Sequence, residues 1–88
     1  MLIDELNPKS DRDAALLVLM ELQGDGGYTL GRRIIEELQR ARVPIPRRKL
    51  PSLLRPFASR SGHGLKSSYR LTPAGREEAL RAVERARN

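Results

Sequence analysis

The stretch Tyr69-Arg70-Leu71-Thr72-Pro73-Ala74-Gly75-Arg76-Glu77-Glu78 changes its periodicity partway along. Up to Leu71 it alternates. Tyr69 and Leu71 face a core, and Ser68 and Arg70 face the other way, the pattern of a half-buried strand. From Thr72 it reads as a helix start. Threonine at the N-cap accepts a hydrogen bond from an otherwise unpaired backbone N–H. Proline at the first helical position gives up no bond it would have made. Gly75 permits close packing near that start. Ala79, Leu80, Val83 and Ala86 then supply an apolar stripe, with Arg81, Glu84, Arg85 and Arg87 around it.

Before this strand lies Arg60-Ser61-Gly62-His63-Gly64-Leu65-Lys66-Ser67, whose glycines on either side of His63 predict a hairpin tip. Further back, Leu50, Leu53, Leu54 and Phe57 recur at helical spacing, so a helix is expected within Arg47–Ser59. Pro51 suits only the first turn of such a helix, and Pro56 falls inside it and removes one backbone bond. A short, bent or partly 3₁₀ element is expected. Val43-Pro44-Ile45-Pro46 is a turn with two apolar anchors.

A second helix is expected from about Leu30 to Arg42, capped by Thr29, with Leu30, Ile34, Ile35, Leu38 and Ala41 on its core face. Tyr28 and Thr29 form a very short strand or an extended link. Gly24-Asp25-Gly26-Gly27 stops the first helix, Asp11–Gln23. Ser10 is its N-cap, and Asp13 sits at the capping-box spacing with Asp in place of Glu. Asp11 and Asp13 also suit the positive end of the helix dipole. Leu16, Leu19, Met20 and Gln23 form its stripe, widened by Leu17 and Leu22. Residues 1–9 are a lead-in, separate from a single domain over residues 10–88. In the lead-in Leu2, Ile3 and Leu6 share one face of a helical turn that Asn7-Pro8 ends. This segment packs on the domain or reaches a partner.

The expected class is therefore α+β and mainly α. The order is helix, possible short strand, helix, turn, helix, hairpin, helix. A helix-turn-helix followed by a two-stranded wing has this order: a three-helix core, a β wing and a C-terminal helix. The junction Tyr69-Arg70-Leu71-Thr72-Pro73-Ala74-Gly75-Arg76 resembles that of bacterial winged-helix regulators of the PadR and MarR kinds. In those regulators a Y-x-L-T-x-x-G-R pattern ends the wing and opens the last helix. The resemblance spans roughly residues 11–88 but is motif-like only at the junction. Two features depart from it: Pro51 and Pro56 interrupt the third helix, and the last helix is short for a dimerisation arm. The resemblance implies a transcriptional regulator that binds double-stranded DNA, most simply as a homodimer. In it the third helix enters the major groove and the wing lies on the backbone or in the minor groove.

Charge is unevenly placed. The chain carries 17 basic and 11 acidic side chains, a net of +6. Residues 1–27 hold two basic and six acidic groups, residues 28–72 eleven and two, and residues 73–88 four and three. No carboxylate side chain stands between Glu37 and Glu77. A long field of one sign suits a polyanion, although a solvated basic face has the same composition. If the third helix packs through its leucines, Arg47, Arg48, Lys49, Ser52 and Arg55 face outward. Arginine pairs with guanine or grips phosphate, and Arg47, Arg48 and Lys49 lie near the helix start, where the dipole favours phosphate. The hairpin adds Arg60, His63, Lys66 and Arg70, and Arg32 and Arg33 open the second helix beside them. His63 is equally an ordinary polar loop residue, and Ser67 and Ser68 are possible phosphate donors. Tyr28, Phe57 and Tyr69 are the only aromatics, and all three are expected in the core. That leaves no exposed stacking platform for single strands, which favours a duplex.

Other functions draw less support. The chain has no cysteine and one histidine, so neither a metal site nor a cofactor is expected. Gly24-Asp25-Gly26-Gly27 lacks the Lys-Ser/Thr of a phosphate-binding loop, and no enzyme is expected. No apolar run approaches the roughly 18 residues of a membrane span. A cytoplasmic, nucleoid-associated location follows as an expectation, with no membrane partner. Two other readings stay open: a winged-helix adaptor or subunit of a larger complex, with a protein partner, and a basic RNA-binding accessory protein.

Overall fold

Ser10 starts the central helix as its sequence predicts. Its Oγ accepts the Asp13 N–H at 3.1 Å, and the helix runs Asp11–Gln23 (α2). The structure, a computed structural model, describes residues 1–24 and 26–87, with Leu65 described by its backbone alone. Asp25, expected in the stop after this helix, lies outside the described residues. Every residue of α2 from Asp13 to Leu19 is buried. A helix buried on all sides must be surrounded, and α2 is in contact with nearly every other element. One neighbour is the short helix Leu2–Glu5 (α1), whose Ile3 is buried in the main core. The lead-in therefore packs on the domain. Asp13 does not complete a capping box. Its carboxylate takes two hydrogen bonds from Arg85, at 2.8 and 2.9 Å.

The second helix is shorter than expected. Thr29–Leu30 form a strand (β1), and the helix spans Gly31–Arg40 (α3) with Leu30, not Thr29, at the N-cap. Ile34, Ile35 and Leu38 are buried as predicted, but Leu30 is 39% exposed and Tyr28 51% exposed. The cause is long-range pairing. Thr29 and Leu30 lie opposite Tyr69 and Ser68, so they are held extended at a sheet edge instead of entering the helix. At the other end of α3, Val43 N–H bonds Leu38 O and Arg42 N–H bonds Gln39 O, which is the Schellman pattern. Arg42 fills the left-handed position usually given to glycine, at φ 65°. Ile45 then anchors the turn in the core.

A 3₁₀ turn over Arg47–Lys49 runs into a five-residue helix, Leu50–Leu54 (α4). Pro51 sits in its first turn, as expected. Pro56 lies beyond it, not inside it. Arg55 is extended, at ψ 135°, because a residue before proline avoids the helical region. Leu50 and Leu54 are buried, while Leu53 and Phe57 are only partly so. Phe57 sits at the core's edge, with the Arg12 guanidinium 5.5 Å from its ring centre.

Strands Ala58–Ser61 (β2) and Ser68–Leu71 (β3) form a hairpin. A 3₁₀ turn over Gly64–Lys66 lies in the connection between them. With β1 they make an antiparallel sheet of order β1-β3-β2. Tyr69 and Leu71 are buried and Arg70 is exposed, as the alternation predicts. Gln23 Oε1 accepts the Leu71 N–H at 2.6 Å and ties β3 to the end of α2.

The junction after β3 is built around one carbonyl. Phe57 O accepts the Thr72 N–H at 3.0 Å and the Thr72 hydroxyl at 3.2 Å. Thr72 Oγ1 in turn accepts the Gly75 N–H at 3.0 Å and caps the last helix, Pro73–Arg87 (α5). Any Cβ at position 75 would overlap the same Phe57 carbonyl, so only glycine fits there. α5 packs through Gly75, Ala79, Ala82 and Val83. Leu80, expected in that stripe, is 58% exposed, because the buried face of α5 runs through those four residues instead. The fold is α+β and mainly helical. Among the described residues no helix is long and apolar enough to cross a membrane.

Candidate nucleic-acid interface

The connection Val43–Pro46, anchored by Ile45, sets the Arg47–Lys49 turn beside the start of α3. Gly31 fixes the third side. Its N–H bonds Ser67 O at 2.8 Å, and its Cα lies against the Tyr69 ring, so a Cβ there would come within 3.1 Å of that ring. The start of α3, the turn and the hairpin thus enclose an open cleft of about 400 Å³. Arg32, Arg47, Arg48 and Arg60 all line it. Its apolar lining comes from Pro46, Leu50, Pro51 and Tyr69, and among the described residues neither carboxylate nor histidine lines it.

A smaller hollow of about 150 Å³ adjoins this cleft and shares Pro51, Arg60 and Tyr69 with it. Arg55 lines that hollow. Five of the eleven candidate residues are therefore brought together: Arg32, Arg47, Arg48, Arg55 and Arg60. The other six are Arg33 on α3, Lys49 in the turn, Ser52 on α4, His63 and Lys66 near the hairpin tip, and Arg70 on β3. These six are exposed but line neither concavity.

The two hairpin arginines separate. Arg60 lies directly opposite Tyr69 in the β2–β3 register, and Arg70 lies opposite Ser59. Directly opposed residues share a face of a sheet, so Arg60 points to the Tyr69 side and Arg70 to the reverse side. Arg60 is also held in place: its Nε and Nη2 both donate to Ser67 Oγ, at 3.3 and 2.9 Å. Ser67 is buried, so it acts here as an acceptor and supports Arg60 instead of reaching out to phosphate. Burial pushes the Tyr69 phenol above its ordinary pKa, and nearby Arg60 offsets part of that rise. The sequence left Ser67 as a possible phosphate donor. Its role as a support follows from a contact across the hairpin that local pattern does not reveal.

Among the described residues none of the eleven takes part in an ion pair. Arg40, Arg81, Arg85 and Arg87 elsewhere all do. Guanidinium groups left free in this way present forks of N–H donors suited to phosphate oxygens. Among the described residues no group of three or more His, Asp or Glu gathers where a metal ion could bind. No family model matches the chain, nor does any curated protein or solved structure compared with it.

Proposed function

We propose that this chain is a winged helix-turn-helix domain that binds double-stranded DNA and acts as a transcriptional regulator. In this reading α3 and the Arg47–Leu54 segment are the helix-turn-helix, and the β2–β3 hairpin is the wing. The observation that supports it best is the convergence of Arg32 from α3, Arg47 and Arg48 from the turn, Arg55 from the end of α4 and Arg60 from β2 on a face whose concavities no carboxylate lines among the described residues. In this reading exposed Ser52 on α4 and Arg55 just beyond it enter a groove, and the arginines around them hold the backbone. Contacts of the second kind position a protein, and those of the first kind read sequence.

Fluorescence anisotropy with a labelled duplex at several salt concentrations tests this. Neutralising several phosphates releases counterions, so log K should fall steeply and linearly with log salt. Absence of duplex binding at ~50 mM salt overturns the reading, since phosphate contacts are strongest at low salt. Structured RNA as competitor decides between the two polyanions. Selection from a random duplex pool reports specificity, and an enriched palindrome supports a two-fold dimer.

A second reading, a protein-interaction module, is favoured by exposed Tyr28, Leu30 and Leu80. A partner retained after nuclease treatment by a charge-reversed Arg47/Arg48/Lys49 variant supports that reading.

A further inference from the structure

We infer that the cleft between the start of α3, the Arg47–Lys49 turn and the hairpin is a seat for one phosphate group, gripped by Arg32, Arg47, Arg48 and Arg60. This rests on the proposed function only in taking a DNA backbone phosphate as the natural occupant. The seat itself would bind a free phosphate as well.

Three features carry the inference. First, four guanidiniums border one concavity that no acid lines among the described residues. Like charges gathered in this way repel, and a bound anion relieves the repulsion. Second, the cleft has low-polarity walls in Pro46, Leu50 and Pro51, which concentrate the field of the surrounding charges. Third, one of the four is pre-set. Ser67 is buried and holds the Arg60 guanidinium by two hydrogen bonds, so less side-chain freedom is lost when an anion arrives. Arg33 and Arg70 have the same charge without the concavity, and they serve as internal controls.

The specificity of the seat is for a phosphate oxyanion. The Gly31 N–H is already taken by Ser67 O, so the grip comes from side chains. Arginine forks meet two oxygens of a tetrahedral anion at once, which lysine does not reproduce. Arg60→Lys therefore keeps the charge but loses the Ser67 support and the fork.

Two arms test the seat. In the first, inorganic pyrophosphate is titrated into the ¹⁵N-labelled chain at constant ionic strength, with chloride as the control anion. The expected result is saturable shifts at Gly31, Arg32, Gly64 and Ser67. These shifts are abolished by Arg47→Ala, weakened by Arg60→Lys and retained in Arg70→Ala. In the second arm, duplex affinity is measured against salt for the same variants. Because the seat holds one phosphate, Arg47→Ala should lower the slope of log K against log salt by about one, and Arg87→Ala, added as a control at the end of α5, should leave it unchanged. Equal shifts at Arg33, Arg70 and the cleft, or shifts that chloride reproduces, overturn the seat. Duplex binding with a slope that no cleft variant alters overturns the backbone occupant and leaves the proposed function standing. Saturable pyrophosphate shifts without duplex binding support the seat for a free phosphate and overturn the proposed function. The variants alter exposed side chains, and circular dichroism confirms that each is folded.

Discussion

Arg81, Arg85 and Arg87 of α5 find carboxylates, and the arginines around the cleft find none among the described residues. Arg85 binds Asp13 and Glu78, Arg81 binds Glu77 and Glu78, and Arg87 binds Glu84. Arg32, Arg47, Arg48 and Arg60 share a concavity that no acid lines among the described residues. One residue type thus does two kinds of work in a small chain. Along α5 its charge is neutralised within the fold, by Asp13 of α2 in the case of Arg85. At the cleft, its charge is left open for something outside the fold. Burial sets the difference in energy: the Asp13 side chain is 6% exposed, so its pairing matters far more than that of a surface acid.

The largest expected effect comes from disrupting the junction that joins these two regions. Gly75→Ala forces a Cβ into the Phe57 carbonyl, a backbone atom already fixed by Thr72. Overpacking against a backbone atom costs about 3 kcal/mol or more, read as a lower denaturant midpoint. A midpoint within error of the parent chain would mean that α5 can shift without cost.

Arg85→Ala comes next. It leaves Asp13 buried without its partner, at a cost of about 2–3 kcal/mol. Arg48→Ala, on the open face, should move stability by no more than about 0.5 kcal/mol. Equal losses from the two substitutions would abolish the distinction between the regions.

Acid titration probes the paired region alone. Hydrogen bonds from Arg85, and then from Arg81, hold the Glu78 carboxyl below its ordinary pKa. A lowered folded-state pKa contributes stability that is fully present above the unfolded carboxylate value of about 4.3 and is lost as pH falls through the folded value. Chemical denaturation at ~pH 6 and ~pH 3 should therefore show a loss that is smaller in Arg85→Ala than in the parent. The same loss in both chains would place the acid sensitivity elsewhere.

One substitution should produce a gain. Arg42 holds a left-handed conformation that costs a non-glycine residue about 1–2 kcal/mol, and Arg42→Gly should recover about 1 kcal/mol of it. A loss of stability instead would show that the Arg42 side chain contributes to the end of α3.

Much of the fold was legible because its signals are local. Ser10, Thr72 and Pro73 mark helix starts by side-chain chemistry within one turn, and the alternation around Tyr69 and Leu71 fixes a buried face. Pairing across the chain was not legible. Leu30 continues the helical spacing of Ile34 and Leu38, yet the partners that hold it extended are Tyr69 and Ser68. Asp13 and Arg85 stand 72 positions apart, so no window of sequence joins them. Leu80 looks apolar enough for the core, but the buried face of α5 runs through Gly75, Ala79, Ala82 and Val83 instead. For the candidate site, the acid-free window was visible as composition. Which five of the eleven candidate residues share a face depends on how separate elements meet, and the split of Arg60 from Arg70 depends on the hairpin register.

That register also limits how the chain can vary. β3 is the middle strand, with Tyr69 opposed by Thr29 on one side and Arg60 on the other. Inserting or deleting one residue within it would exchange its faces, turning the ring outward and a guanidinium inward. The tip between β2 and β3 has no such parity to keep. Length changes there, in steps of any size, alter how far the hairpin reaches while the anchored strands stay as they are. Lineages of this domain should therefore differ in reach at the tip and hold the strand count of residues 68–71 fixed.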